Sequence, residues 1–105
     1  GFKLNVDGSC KEGHIRAGGV IQDNRGNVLL DFSAYYGLGL SIQTKAKVML
    51  TGLQLCVQEN MVLSQVETDS KIIRDSMQDK GTTPWSIVYA IRRCKRLLDQ
   101  NTKVT

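Results

Sequence analysis

Residues 3–9 read KLNVDGS, and this stretch determines how the rest of the chain can fold. Its apolar and polar side chains alternate, which is the period of a β-strand with one buried face, and the strand reaches Asp7 just before a Gly-Ser pair. A second stretch of this kind, residues 66–70 (VETDS), places Asp69 directly after its strand. Two strands that each deliver a carboxylate at their end predict a sheet with a polar site at one edge.

The residues that follow the first strand predict an antiparallel β-meander. Residues 10–16 are polar and turn-like, whereas residues 17–22 (AGGVIQ) indicate a second strand whose small side chains allow another backbone to approach closely. The sequence DNRG at residues 23–26 is a strong hairpin turn, because glycine supplies a positive φ. Residues 28–36 then predict the third strand.

The apolar spacing becomes helical in the middle of the chain. From residue 41 to residue 59 the apolar side chains recur at the period of a helix, which predicts one long amphipathic helix. Residues 62–68 predict a fourth strand. Because a strand that follows a helix normally crosses back over the sheet, we expect it to lie parallel to the first strand.

Two shorter helices and a last strand complete the predicted order. Asp69 and Ser70 suit the cap of one helix, and Pro84 suits the first turn of the other. The residues that these helices are predicted to place in the core are Ile72, Ile73, Met77, Trp85, Val88, Ile91, Leu97 and Leu98. Residues 103–105 indicate the start of a fifth strand. The predicted fold class is α/β: a mixed, mainly antiparallel five-stranded sheet in the order β-β-β-α-β-α-α, with helices packed on it and a truncated last strand.

Composition restricts the class of protein. The 105 residues are enough for one domain, and the net charge of +4 suits a polyanionic partner. No apolar stretch approaches the ~20 residues of a membrane span. The three cysteines, Cys10, Cys56 and Cys94, are far apart and odd in number, so we predict small buried or half-buried thiols in a reducing, intracellular protein of the nucleus or cytoplasm. The chain begins with Gly, and we expect a fragment of a longer protein.

The two aspartates are candidates for metal binding. If the first and fourth strands are parallel neighbours, Asp7 and Asp69 point into the same crevice at the carboxyl ends of the strands. Two carboxylates can bind one hydrated Mg²⁺ loosely, whereas two-metal phosphodiester hydrolysis normally needs three or four. The alternative is structural, because aspartate is also common in turns and at helix N-caps.

A second candidate surface is basic. Arg92 and Arg96 lie four residues apart, so they share one face of the last helix and can contact phosphates. The alternative is an ordinary solvated helix face. Trp85 and the pair at residues 35–36 are predicted to pack in the core or on the sheet rather than to stack on bases, and His14 is predicted to be an exposed loop residue.

Four stretches together resemble the plant ribonuclease H-like domain, which typically occurs in retrotransposon-derived proteins: residues 3–9, 17–30, 52–56 and 66–70. The resemblance spans nearly the whole chain and keeps the order of the elements. It implies a ribonuclease H-like fold and a Mg²⁺-dependent endonuclease that hydrolyses RNA in RNA–DNA hybrids, with ions held by Asp, Glu, Asp and a final Asp. Asp7 matches the first acid and Asp69 the third, so the resemblance implies catalytic and metal-binding roles for both.

The chain departs from the family pattern where the glutamate is expected. The family's Ala-Glu motif aligns with Ala46-Lys47, whereas counting back from Gly52 puts Lys45 at the acid position, and both placements remain open. On either placement a lysine replaces the acid. An ammonium ~4 Å from a carboxylate interacts by about 4 kcal/mol at an effective dielectric constant near 20, so this lysine competes with a metal ion. The closing segment that carries the family's His and last Asp would follow Val104, so we expect residues 1–105 to be one domain that is incomplete at its C-terminus.

Two functional hypotheses follow. The first is a degenerate ribonuclease H-like domain, a pseudoenzyme whose hydrolase activity is impaired or lost but which still binds an RNA–DNA hybrid or double-stranded RNA or DNA. The resemblance implies that Asn5 and Ser9 contact a minor groove or a 2′-hydroxyl. The second is a non-catalytic structural or protein-interaction module, or a transposon relic with no ligand. Binding through phosphates weakens steeply with salt, whereas an apolar protein interface does not.

Overall fold

The computed structural model describes residues 1–11, 14–37 and 42–105, and the side chains of residues 1–7, 17–33 and 42–105. In chain order the elements are β1 (Phe2–Lys11), β2 (His14–Gln22), β3 (Val28–Gly37), α1 (Ile42–Gln58), β4 (Leu63–Thr68), α2 (Lys71–Met77), a 3₁₀ turn (Trp85–Ile87), α3 (Val88–Leu97) and β5 (Lys103–Val104). This order confirms the predicted α/β class. The predicted helix start at residue 41 lies outside the described residues.

The strands form one mixed sheet in the order β3-β2-β1-β4-β5. The strand β1 pairs antiparallel with β2 and parallel with β4, which confirms the crossover expected for the helix between them. The antiparallel ladders β1–β2 and β2–β3 are longer than the two parallel ladders on either side of β4, so the pairing is mainly antiparallel, as predicted.

The hairpin between β1 and β2 is longer than the sequence predicted. Gly8 and Ser9 were expected to end the first strand and residues 10–16 to form a turn, but pairing continues as far as Lys11 and His14. A ladder of backbone hydrogen bonds does not require apolar side chains, so a polar stretch can extend a hairpin once its register has been set by the apolar residues before it.

The core lies between the sheet and the helices α1 and α3. The largest fully buried side chains are Leu4, Ile21, Met49, Leu53, Val66, Ile73, Ile87 and Cys94. Each buried aliphatic side chain of this size contributes about 1.5–3 kcal/mol. Among the described helices, none is long and apolar enough to cross a membrane.

Two residues predicted to lie in the core are exposed instead. The Trp85 side chain is 90% exposed and that of Ile72 is 50% exposed. Trp85 precedes the buried Ile87 by two residues, which is about 200° around a helix and therefore on the opposite side. Ile72 is displaced by about 100° from its buried neighbour Ile73 for the same reason.

Two of the three cysteines are buried free thiols. Cys56 is a buried residue of α1, and Cys94 is a buried residue of α3. Burial raises the pKa of Cys56 to about 11 and that of Cys94 to about 12. The unfolded thiols ionise near their ordinary value of 9.0, so this pair favours the unfolded chain progressively as the pH rises above 9. The Cys10 side chain lies outside the described residues.

We expect both buried thiols to react slowly with iodoacetamide at pH 8.5. The thiolate is the reactive form, and a pKa raised by two units or more lowers its population about 100-fold. Peptide-resolved mass spectrometry of the native chain should therefore show labelling of Cys56 and Cys94 at least about 100-fold slower than in 8 M urea. Native labelling of Cys94 at the rate of the unfolded chain would show that this part of the core is open.

Candidate functional site

The structure brings Asp7 and Asp69 together. Asp7 lies on β1, and Asp69 directly follows β4, whose Thr68 is in register with Val6. With Lys45 of α1 they line a small crevice, termed here the β1–β4 crevice, whose lining is Val6, Asp7, Ala17, Lys45, Val48, Thr68 and Asp69. Its volume is about 10 Å³, which is about the space of one water molecule.

A short chain of hydrogen bonds fixes the backbone around Asp69. The buried Thr68 hydroxyl accepts a hydrogen bond from the backbone N–H of Ser70 at 3.2 Å. The Ser70 hydroxyl accepts one from the N–H of Ile73 at 3.3 Å and so caps α2, as the sequence predicted. Because both neighbours of Asp69 are buried and bonded, the backbone of Asp69 is fixed beside the crevice.

The lysine at the crevice is Lys45. Its Nζ lies 3.8 Å from Oδ2 of Asp69, and the two side chains are 28% and 48% exposed. Because both side chains are partly exposed, the ion pair is weaker than the interaction of about 4 kcal/mol expected from the sequence. Exposed ion pairs contribute about 0.2–1 kcal/mol. Its main effect is on charge, because the ammonium neutralises one of the two carboxylates.

The other candidate, Lys47, does not line the crevice. It is exposed on α1, and its carbonyl accepts a hydrogen bond from the Thr51 hydroxyl one turn later at 2.9 Å. Lys45 and Lys47 are about 200° apart around the helix, so they cannot both face the sheet. The burial of Ala46 and Met49 sets the phase of α1 and leaves Lys45 at the edge of the buried face.

The described residues do not fit a two-metal centre. Two carboxylates are present in the crevice, and the third position is taken by an ammonium that repels cations. Within the described part of the chain no group of three or more His, Cys, Asp or Glu side chains is arranged to hold a metal ion. The Mg²⁺ ions implied by the sequence resemblance therefore have no ligand set among the described residues of the size that two-metal hydrolysis requires.

Of Asn5 and Ser9, the two residues that the resemblance implies contact a nucleic-acid groove, the structure describes the side chain of Asn5 only. The amide Nδ2 of Asn5 donates a hydrogen bond to Glu67 Oε2 at 3.1 Å, and Glu67 also pairs with Lys3 at 3.1 Å. Asn5 is therefore held by its neighbour on β4, and its contact with nucleic acid stays a prediction. The side chains of Ser9, His14 and residues 35–36 lie outside the described residues.

The two predicted basic residues lie on a separate element. Arg92 and Arg96 are exposed on α3 and do not line the crevice. Sequence reasoning missed their exposed neighbour Tyr89, whose ring centroid is 5.7 Å from the guanidinium carbon of Arg93. The signal was present in the spacing, since Tyr89 lies midway between the buried Ile87 and Ile91.

A larger groove of about 500 Å³ lies far from the aspartates along α1. It is lined by the end of α1, the start of β4 and the residues that follow α3, including Cys56, Leu63 and Leu98. This groove is half apolar and has Asp99 as its charged lining residue. Its size alone assigns it no chemistry.

The sequence profile of a family described as reverse transcriptase-like matches residues 5–105, which is nearly the whole chain and includes every lining residue of the β1–β4 crevice. The chain belongs to the reverse transcriptase-like family. No curated protein sequence matches it significantly.

Solved structures show that this reverse transcriptase-like chain has the fold of an RNase H domain. It is similar to RNase H1 from Halobacterium salinarum, with a TM-score of 0.77 and 14% identity over 99% of this chain and 83% of that one. The N-terminal RNase H domain of Rv2228c from Mycobacterium tuberculosis gives a TM-score of 0.80 and 16% identity over 99% and 82%. LC11-RNase H1 from compost was solved in complex with an RNA/DNA hybrid. It gives a TM-score of 0.79 and 21% identity over 100% of this chain and 83% of that one.

Proposed function

We propose that this chain is a non-catalytic RNase H-like domain that binds an RNA–DNA hybrid or a related duplex without metal ions. The observation that carries the proposal is the position of Lys45, whose ammonium lies 3.8 Å from Asp69 in the β1–β4 crevice. The family match and the fold shared with an RNase H1 that was solved on a hybrid support the choice of ligand.

The charge of the crevice supports binding without a metal. Two carboxylates alone would repel a phosphate backbone, and in a metal enzyme the bound cations remove this repulsion. Here Lys45 neutralises the Asp69 carboxylate within a chain of net charge +4. A fixed ammonium therefore makes the crevice compatible with a nearby phosphate, but it cannot activate a water molecule as a metal ion does.

The finer assignments belong to the same proposal. The plant, retrotransposon-derived type rests on the four sequence stretches that resemble it, and the roles of Asp7 and Asp69 rest on their match to two of its acids. An intracellular location is supported by the free thiols of Cys56 and Cys94, which suit a reducing compartment.

The proposal predicts hybrid binding that needs no divalent metal and is not followed by cleavage. In fluorescence anisotropy with a labelled 12-base-pair RNA–DNA hybrid, binding in EDTA should be at least as tight as in Mg²⁺, because Mg²⁺ only competes for the phosphates. Asp69→Asn should tighten binding severalfold, because it removes a negative charge from the crevice. Lys45→Gln should weaken binding about five- to tenfold and reduce the salt slope by about 1.

Matched variants separate the crevice from general charge effects. Lys47→Gln removes the same charge from the exposed side of α1, and Asp31→Asn removes an acid from β3, so neither should change hybrid binding. Cleavage of the hybrid in Mg²⁺ that is lost in Asp69→Asn would show that the domain is a metal nuclease. Binding that is insensitive to salt would favour the protein-interaction hypothesis instead.

A further inference from the structure

Two aromatic side chains are exposed on the helical segment that ends with α3. Trp85 is 90% exposed and Tyr89 is 74% exposed, and they lie four residues apart, which is the spacing of neighbours on one side of a helix. Neither side chain contributes to the core. Tyr and Trp are enriched at interfaces, so two neighbouring exposed side chains of this kind make a candidate binding surface.

Three arginines extend the same side of the helix. Arg92, Arg93 and Arg96 are all exposed, while the opposite side of α3 is buried through Ile91 and Cys94. With the two aromatic residues they form what is termed here the α3 stripe: Trp85, Tyr89, Arg92, Arg93 and Arg96. At about 1.5 Å per residue the stripe is about 16 Å long.

The positive charge of the stripe is not neutralised within the described part of the chain. The neighbouring cation on α3, Lys95, forms an ion pair with Asp79. None of the three arginines forms an ion pair with a described carboxylate. Arg93 instead lies against the Tyr89 ring, 5.7 Å from its centroid, which holds a guanidinium beside an aromatic face.

We propose that the α3 stripe is a binding site for single-stranded nucleic acid. Unpaired bases can stack on exposed Trp and Tyr rings, and a row of arginines can follow the phosphates beside them, as in other single-strand binding proteins. A duplex keeps its base faces stacked inside the helix, so it can use the arginines but not the aromatic rings. The alternation of rings and guanidinium groups along one side therefore selects single strands.

This site is distinct from the β1–β4 crevice. The crevice is lined by residues of β1, β2, β4 and α1 and by Asp69, and none of its lining residues comes from the 3₁₀ turn or α3. The proposal does not rest on duplex binding at the crevice, and each site can be tested while the other is unchanged.

Charge and shape favour nucleic acid over the other polyanions. An anionic membrane would require apolar side chains that insert below the headgroups, and the apolar side of α3 is already buried against the core. An acidic protein surface would pair with the arginines, but it offers no regular series of flat faces for Trp85 and Tyr89. Binding to a membrane remains an outcome of the test.

Tryptophan fluorescence gives a direct readout, because Trp85 is the single tryptophan of the chain. The full chain should be titrated with 12-nucleotide oligouridine and oligothymidine in EDTA, and the emission of Trp85 followed. Stacking should quench this emission, and the affinity should fall with salt with a slope near −2, as expected for about three phosphate contacts. A 12-base-pair duplex should quench it much less.

Exposed positions allow variants that leave the fold intact. The triple variant Arg92→Gln, Arg93→Gln, Arg96→Gln should lose the salt-dependent binding. Its matched control removes three exposed cations elsewhere, Arg25→Gln, Lys80→Gln and Lys103→Gln, and should bind normally. Trp85→Ala and Tyr89→Ala should each weaken binding about fivefold or more, measured by anisotropy of a labelled oligonucleotide.

Each alternative result overturns the proposal. Absence of quenching by single strands would exclude stacking on Trp85. An equal loss of binding in the two triple variants would show that net charge, not the stripe, attracts the strand. A blue shift of Trp85 on vesicles of phosphatidylserine, without quenching by oligonucleotides, would assign the stripe to membranes. The crevice variants test the proposed function alone, so their hybrid binding is no part of the test of the stripe.

Discussion

Lys45→Glu is expected to give the domain a response to divalent metal that the parent chain lacks. The substitution replaces the ammonium in the β1–β4 crevice with a carboxylate beside Asp7 and Asp69. Three carboxylates around a small crevice are a suitable ligand set for Mg²⁺ or Mn²⁺, whereas two carboxylates and an ammonium are not. A single substitution thereby converts a site that repels cations into one that attracts them.

The expected effect on stability has opposite signs with and without metal. Without metal, the variant loses the Lys45–Asp69 pair and gains repulsion among three acids, so we expect a loss of about 1 kcal/mol, or about 4–8 °C in Tm for a domain of this size. A metal that binds the folded state stabilises it by RT ln(1 + [L]/Kd), which is about 1.4 kcal/mol at ten times the dissociation constant. Thermal unfolding in EDTA and in 10 mM Mn²⁺ measures both changes.

Lys47→Glu is the matched control for this experiment. It makes the same change of charge two residues away, on the side of α1 that does not line the crevice. Its Tm should not respond to metal, and the backbone amides of Asp7 and Asp69 should not shift on addition of Mg²⁺. A metal response in Lys47→Glu but not in Lys45→Glu would show that the acid position had been placed wrongly. Site-specific shifts in the parent chain would show that two aspartates suffice despite the lysine.

The convergence of the two aspartates could be predicted from the sequence because it depends on strand order. Residues 3–9 and 66–70 each show a strand that leads to an acid, and the intervening helix requires the two strands to run parallel. Parallel neighbours end at the same edge of a sheet, so Asp7 and Asp69 had to approach each other. No packing detail was needed for this step.

The choice between Lys45 and Lys47 could not be made in this way, because it depends on the phase of a helix. Aligning the Ala-Glu motif with Ala46-Lys47 places the acid position at Lys47, whereas counting back from Gly52 places it at Lys45. These positions are two residues apart, which is more than half a turn of the helix. The burial of Ala46 and Met49 fixes which side of α1 faces the sheet, and this places Lys45 rather than Lys47 at the crevice. The exposure of Trp85 was missed for the same reason. Its large apolar ring predicted burial, but Trp85 lies on the side of the helix opposite the buried Ile87.

Gly18→Ala is expected to be the most destabilising single methyl addition among the described glycines. A Cβ at Gly18 would lie 2.2 Å from the carbonyl oxygen of Phe32 and 3.0 Å from the Cα of Ser33 on the neighbouring strand β3. Both are backbone atoms, so no side-chain rotation can relieve the contact. The small residues at 17–22 had predicted a close backbone approach, and the structure confirms it at this position.

The clash at Gly18 also affects the β1–β4 crevice, because Gly18 on β2 is paired with Asp7 on β1. Separating β2 from β3 would cost about 3 kcal/mol or more, a large part of the 5–15 kcal/mol that stabilises a typical domain. Urea unfolding should show this loss. The control is Gly26→Ala, where a Cβ meets nothing within 4 Å and the cost is the strain of φ +84° alone, about 1 kcal/mol. If Gly18→Ala cost less than Gly26→Ala, the β2–β3 register would have to be wrong, and with it the strand that supports Asp7.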